Sequence, residues 1–274
     1  MTDRLTLMAV HAHPDDEAVA TGGVLARYGD EGLRTVVVTC TNGEQGDGPG
    51  GLKPQDAGHD EAEVVRIRRA ELEKACSILG VSALELLGYR DSGMDGWEAN
   101  QRSDSFCNAD FGQVVGRLSE LMARYRPQVV VTYDENGNYG HPDHIQAHRV
   151  TVAAAEASGI PAKLYEIAFP RSAMRRFMEM AGAAGTELDR DMPDDADVSW
   201  GTPDELVGAV VDVGAYAERK RDALAAHASQ TDNSMFLRLP PETFRMAFGS
   251  ESFVRRFGGP PGGVVEDDLF SGLR

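Results

Sequence analysis

Two short segments hold most of the side chains able to do chemistry. One is H-A-H-P-D-D-E at positions 11–17, and the other is Y-G-H-P-D-H at 139–144. Zinc favours imidazole nitrogen and carboxylate oxygen, and its hydrolytic centres use three protein ligands while keeping one position open. His13, Asp16 and His144 supply such a set. Two-imidazole, one-carboxylate sites also suit iron(II), so Zn2+ is expected with Fe2+ as the alternative. Asp15, adjacent and not a ligand, can take a proton from water. His141 adds an imidazole that can stabilise an oxyanion or protonate a leaving amine, and Asp143 is expected to hold its far nitrogen and fix its tautomer. Together these groups point to metal-assisted hydrolysis. A plainer reading of the first motif is a His-Pro turn with Asp15 or Asp16 capping a helix. Of the other histidines, His11 reads as structural, His148 as supporting or surface-facing, and His59 as solvent-facing.

These residues need elements to bring them together. The first two-thirds of the chain alternates strand and helix patterns. Strands are expected at Leu5–Val10, Thr35–Thr41, Leu84–Tyr89, Gln128–Asp134 and Lys163–Phe169, with helices at Glu17–Glu31, Asp60–Leu79, Phe111–Tyr125 and Pro142–Ala157. Near-continuous apolar strands between amphipathic helices indicate a parallel sheet covered on both faces, an α/β Rossmann-like doubly wound fold. In the order 3-2-1-4-5 the first and fourth strands are neighbours, and ligands bind beyond the strands' carboxyl ends where the order reverses. Both motifs then share one rim.

The last third is less regular. Helices are expected at Ser172–Gly182 and Ala215–Ala226 and a strand at Val207–Val213, while Phe244–Phe257 is ambiguous. Glu187–Asp197 reads as a solvated acidic linker and Gly258–Val264 as a Gly/Pro loop. The chain is expected to form one domain over 1–274, with a Rossmann-like core at 1–170 and a helical and β elaboration at 171–274. Two polar loops, Asn42–Gly58 and Arg90–Asp110, are long enough to suggest function.

Composition narrows the partners. The 274 residues carry 27 basic and 44 acidic side chains, a net charge of −17, which makes nucleic acid a poor partner. No apolar run reaches the roughly 18 residues of a membrane span. The start of the chain has no signal-peptide pattern. Cys40, Cys76 and Cys107 are odd in number and scattered, which fits a reducing cytoplasm. A small-molecule partner is therefore expected, with a homo-oligomer compatible. No G-x-G-x-x-G or phosphate-binding loop follows the first strand, which argues against a nucleotide-binding protein.

The paired motifs make the chain resemble the LmbE/PIG-L family of zinc de-N-acetylases, which carries A-H-P-D-D-E after its first strand and H-P-D-H later. Within that family it is most similar to the mycothiol-pathway members, an N-acetylglucosaminyl-inositol deacetylase and a mycothiol S-conjugate amidase. The supporting segments are V-V-T-C-T-N-G-E-Q-G (37–46), R-R-A-E-L (68–72), R-D-S-G-M (90–94), V-T-Y-D-E-N-G-N-Y-G-H-P-D-H (131–144) and H-A-S-Q (227–230). The resemblance implies zinc on His13, Asp16 and His144, Asp15 as base, and His141 in an acid or electrostatic role. It gives Tyr139 an assisting role at the oxyanion, and Arg68 and Asp91 contacts to a sugar or cyclitol. The implied substrate is an N-acylated amino sugar, such as an N-acetylglucosamine glycoside. A thiol S-conjugate or an antibiotic intermediate is the alternative, and a sugar-binding module the non-enzymatic one. The chain departs from the family pattern at Asp47, where relatives often have Glu, and at Ala20, where the conjugate amidases carry lysine.

Overall fold

The computed structural model describes residues 4–183, 201–230, 234–258 and 263–274. The expected linker Glu187–Asp197 and most of the Gly/Pro loop lie outside these.

The chain opens with β1 (Thr6–His11), α1 (Asp16–Ala20), α2 (Gly22–Asp30), β2 (Arg34–Thr41), α3 (Glu61–Leu79) and β3 (Ala83–Tyr89). It continues with α4 (Phe111–Tyr125), β4 (Val129–Thr132), the single irregular turn α5 (Gly137–Gly140), α6 (Pro142–Ser158) and β5 (Lys163–Ala168). The C-terminal part adds α7 (Arg171–Ala183), β6 (Ala209–Asp212), α8 (Ala217–Ala226), the short α9 (Ser234–Leu237), α10 (Pro241–Phe248) and β7 (Ser250–Phe257).

Seven strands form one sheet in the order β3-β2-β1-β4-β5-β7-β6. The first five are parallel, in the order expected, and β7 and β6 extend the sheet antiparallel to β5. Every residue of β1, β4 and β5 is buried. That requires cover on both faces, which fits a β-branched, apolar strand composition. One helical group, α2, α3 and α8, packs together, and α4 packs on α6, which in turn lies against β1 and β4. Local signals set the helix ends. The Asp60 carboxylate accepts from the Ala62 and Glu63 amides at the start of α3, Gly80 ends that helix at φ 73°, and Asp110 caps α4 through the Gln113 amide.

Two expectations change. The single helix Glu17–Glu31 is broken at Thr21, whose φ is −132°. Its hydroxyl lies 2.9 Å from His11 Nε2 and 3.2 Å from the Glu17 carbonyl, so side-chain bonding replaces helix continuation. The ambiguous Phe244–Phe257 resolves into the end of α10, a break at Gly249, and β7.

Candidate active site

The site forms where β1 and β4 end side by side. From β1 the chain runs through Ala12–Asp15 into α1. Asp15 adopts φ 129° and ψ −27° at the N-cap position, with no capping bond from its side chain. From β4 it passes Tyr133 and the α5 turn, where Asn138 sits at φ 62°, and arrives at His141, the N-cap of α6. Positive φ at two non-glycine residues marks backbone that the surroundings hold in place.

His13, Asp16 and His144 converge. His144 Nε2 is 3.2 Å from His13 Nδ1, His13 Nδ1 is 3.4 Å from an Asp16 oxygen, and His144 Nε2 is 3.6 Å from the other. Bonds of about 2.0–2.1 Å in a tetrahedron imply donor separations of about 3.3–3.4 Å, so these residues fit a zinc-sized ion. The protons are arranged to match. His144 Nδ1 donates to the Gly137 carbonyl at 3.2 Å, which leaves Nε2 as the inward donor atom. Asp16 is fixed by the Tyr133 hydroxyl at 2.7 Å and by the His13 amide at 2.8 Å, and the Tyr133 ring stacks on His144 at 4.0 Å. His13, His141 and His144 each offer a ring nitrogen, and these lie within 4.8 Å of one another.

Behind His13 the arrangement departs from expectation. Asp143 does not hold His141. Its carboxylate accepts from the Ser92 amide at 2.8 Å and from the Ser92 hydroxyl, and meets His13 Nε2 at 3.3 Å. His141 Nδ1 instead accepts the Asp143 amide at 3.1 Å. Residues two apart at a helix start do not face each other, so the carboxylate swings to the neighbouring strand's histidine. Asp91 Oδ1 is a second acceptor near His13 Nε2, at 3.6 Å, and also accepts the Gly93 amide at 2.8 Å, the local turn its sequence allows. Burial alone would depress His13, but Asp91, Asp143 and Asp16 outweigh it and hold its pKa well above the usual imidazole value.

Arg68 is not on a solvated face. It is 4% exposed and donates to the Pro14 carbonyl at 2.6 Å and the Gly43 carbonyl at 3.0 Å, while its Nε has no hydrogen-bond partner. Its guanidinium lies 3.4 Å from Asp15 and 3.9 Å from Asp91. Burial pushes Asp15 up to about 6 against the opposing charge of Arg68, with Asp16 adding to the rise. His141 is driven the other way, far below the usual imidazole range, by burial and then by the charges of His13 and His144. Tyr139 is half exposed, with its ring 4.9 Å from His144 and 6.2 Å from His141.

One cavity of about 800 Å³ is lined by His13, Asp15, Asp16, Arg68, Asp91, Tyr139 and His141. Its other wall is apolar, with Phe169, Met174, Phe177, Phe236 and Phe248 among its residues. That wall comes from the end of β5 and from α7, α9 and α10, elements without a chemical motif. Two other participants lie in the segments quoted above without a local sign of their role. Tyr133 and Ser92 act only through partners distant in sequence. His59, expected in solvent, is half-buried and meets the Gly46 carbonyl at 2.9 Å, pinning the Asn42–Gly58 loop. His148 is buried and donates to the Tyr133 carbonyl at 2.9 Å.

The family described as PIG-L, GlcNAc-PI de-N-acetylase, matches residues 8–155. A 1D-myo-inositol 2-acetamido-2-deoxy-alpha-D-glucopyranoside deacetylase of Acidothermus cellulolyticus is 42% identical over 281 residues, covering 98% of this chain and 95% of the relative. Its counterpart in Geodermatophilus obscurus is 42% identical over 296 residues, covering 100% and 99%. Among solved structures, N,N'-diacetylchitobiose deacetylase from Pyrococcus horikoshii aligns with a TM-score of 0.62 at 18% identity, covering 93% of this chain and 85% of that one. At that identity the likeness speaks for the fold alone. With its motifs assembled at one rim, and with relatives matched along its whole length, the chain belongs to the PIG-L family.

Proposed function

We propose that this protein is a zinc-dependent deacetylase that removes the acetyl group from an N-acetylglucosaminyl glycoside, with the glucosaminyl inositol named for its relatives as the favoured substrate. The observation that carries this reading is the triangle of His13 Nδ1, His144 Nε2 and the Asp16 carboxylate with Asp15 beside it. A zinc ion held there supplies Lewis acidity, lowering the pKa of water and polarising the amide carbonyl, and iron(II) could serve in the same set. Asp15 takes the proton as water attacks the acyl carbon. His141 accepts the Asp143 amide on Nδ1, so its Nε2–H is free to donate to the tetrahedral oxyanion, and Tyr139 can add its hydroxyl. Asp15 then returns the proton to the departing amine. Arg68 orients Asp15, and the place of Arg68 and Asp91 in the cavity lining supports their sugar-binding roles. Asp143 acts through His13.

The test is acetate release from the N-acetylglucosaminyl inositol by the wild type and by D15N, with zinc measured in both. D15N should lose on the order of 10²–10⁴-fold in kcat while keeping its zinc. Near-normal turnover in D15N, or indifference of the wild type to chelation and zinc repletion, refutes the reading.

The apolar wall favours a second substrate class. Phe177, Phe236 and Phe248 share the cavity with His13, Asp15 and Asp16, and a thiol S-conjugate would place an apolar substituent against them. Release of a mercapturate-type acid faster than acetate would favour that reading. Among the described residues no helix is long and apolar enough to cross a membrane. The free thiols of Cys40, Cys76 and Cys107 support a cytoplasmic setting.

A further inference from the structure

We propose that Glu17 and His227 form a positioning pair that holds Asp15 in the conformation from which it moves the proton; this rests on the reading of Asp15 as the base. Asp15 sits at φ 129°, a region L-residues avoid, so something must hold it there. The Glu17 carboxylate does so with one oxygen and uses the other to bind His227. Oε2 accepts the Asp15 amide at 3.0 Å and Oε1 accepts His227 Nε2 at 2.7 Å. Both side chains are fully buried. Glu17 lies in the first turn of α1 and reaches back to the N-cap amide, as the glutamate of a capping box does. Left alone, it would be a buried carboxylate with one bond, free to rotate or take up a proton. His227 gives it a direction.

His227 is itself fixed from outside the core. It ends α8, and its carbonyl accepts the Gln230 amide at 3.1 Å. Gln230 accepts from the Asp47 amide at 3.2 Å, and the Ser229 amide and hydroxyl bond to Glu71 of α3 at 2.8 and 2.7 Å. The H-A-S-Q segment thus ties the C-terminal elaboration to α3, to the Asn42–Gly58 loop and, through Glu17, to Asp15. A bystander ion pair needs no bond to the base; here one carboxylate joins the two.

The experiment compares H227L, H227Q and E17Q in wild-type and D15N backgrounds, reading kcat, KM and bound zinc. Leucine removes the donor, whereas glutamine puts its Nε2 near the position of the histidine's. H227L should lower kcat on the order of 10–100-fold with KM and zinc unchanged, and H227Q should recover most of that loss. In D15N, where the base is gone, H227L should cost nothing further. An unchanged kcat in H227L, an equal loss in both backgrounds, or a loss that tracks zinc content overturns the proposal. E17Q keeps the shape but offers one acceptor oxygen to two donors; it should lower kcat in the wild type and cost nothing further in D15N, and it answers the same cycle should H227L not fold. Turnover surviving in D15N defeats the base itself, while a D15N loss with no effect of H227L defeats only the pair.

Discussion

Each imidazole at this site has one nitrogen committed to the protein and one left for chemistry. His13 commits Nε2 to Asp143, His144 commits Nδ1 to Gly137, and His141 commits Nδ1 to the Asp143 amide. The commitment decides what each can do, because a ring nitrogen already bonded to the protein, as donor or acceptor, cannot also bind a metal. D143N should therefore weaken zinc binding about 10–100-fold while leaving the three ligands in place. Competition against a chelator measures this, and an affinity equal to wild type would show that Asp143 does not act through His13. The motif H-P-D-H made Asp143 visible in the sequence, but not its partner. The reading paired it with its neighbour His141, whereas the partner, His13, is 130 positions away.

At the scale of elements, the loops were legible as loops and their work was not. Asn42–Gly58 read as a polar, Gly-rich connection. In the fold it presses its backbone against Arg68. A Cβ at Gly46 would lie 2.4 Å from Arg68 Nη1 and 2.5 Å from the Gln230 amide oxygen. Neither neighbour can yield freely, since Arg68 is held by two carbonyls and Gln230 by Asp47. G46A should therefore cost about 1–3 kcal/mol of stability and lower turnover by displacing Arg68 from Asp15. Urea unfolding and kcat measured together check this, and an unchanged midpoint with full activity would contradict it. The break of the first helix at Thr21 was hidden for a related reason. Apolar spacing persists across it, and only the His11 contact to the threonine hydroxyl shows why the helix turns. Phe244–Phe257 was ambiguous because its strand half is defined by pairing with β5 and β6, which no local window contains.

Across the whole molecule, the antiparallel extension places new charges against the parallel sheet. Glu166 on β5 lies 3.7 Å from Arg256 of β7 and 3.7 Å from His148 of α6. Burial pushes its pKa up from 4.5 to about 7, against Arg256, with Asp134 and Glu135 adding to the rise. Between about pH 4.5 and 7 the unfolded chain has released this proton while the folded chain retains it. The unfolded state then binds fewer protons, so this group's contribution to stability falls as pH rises through the window. After allowance for solvent screening, the loss is about 1–2 kcal/mol. E166Q should remove it, flattening the change in urea midpoint between pH 5 and 8. A slope identical to wild type would refute the assignment.

The sequence by itself determined the inventory and the order. Two motifs carried the ligand types, the acid and base candidates were named, and β-branched runs between amphipathic helices put strands one and four side by side. Those are consequences of local pattern and of the few ways a parallel sheet can be wound. Only the tertiary structure decided which nitrogen of each imidazole faces inward, that Asp143 serves His13, that Arg68 is a buried tie, and that phenylalanines from the C-terminal third wall the cavity. The physical reason is distance along the chain. His13 meets His144 across 131 positions and Glu17 meets His227 across 210, and hydrogen bonds between such residues exist only once the sheet and its helices have packed.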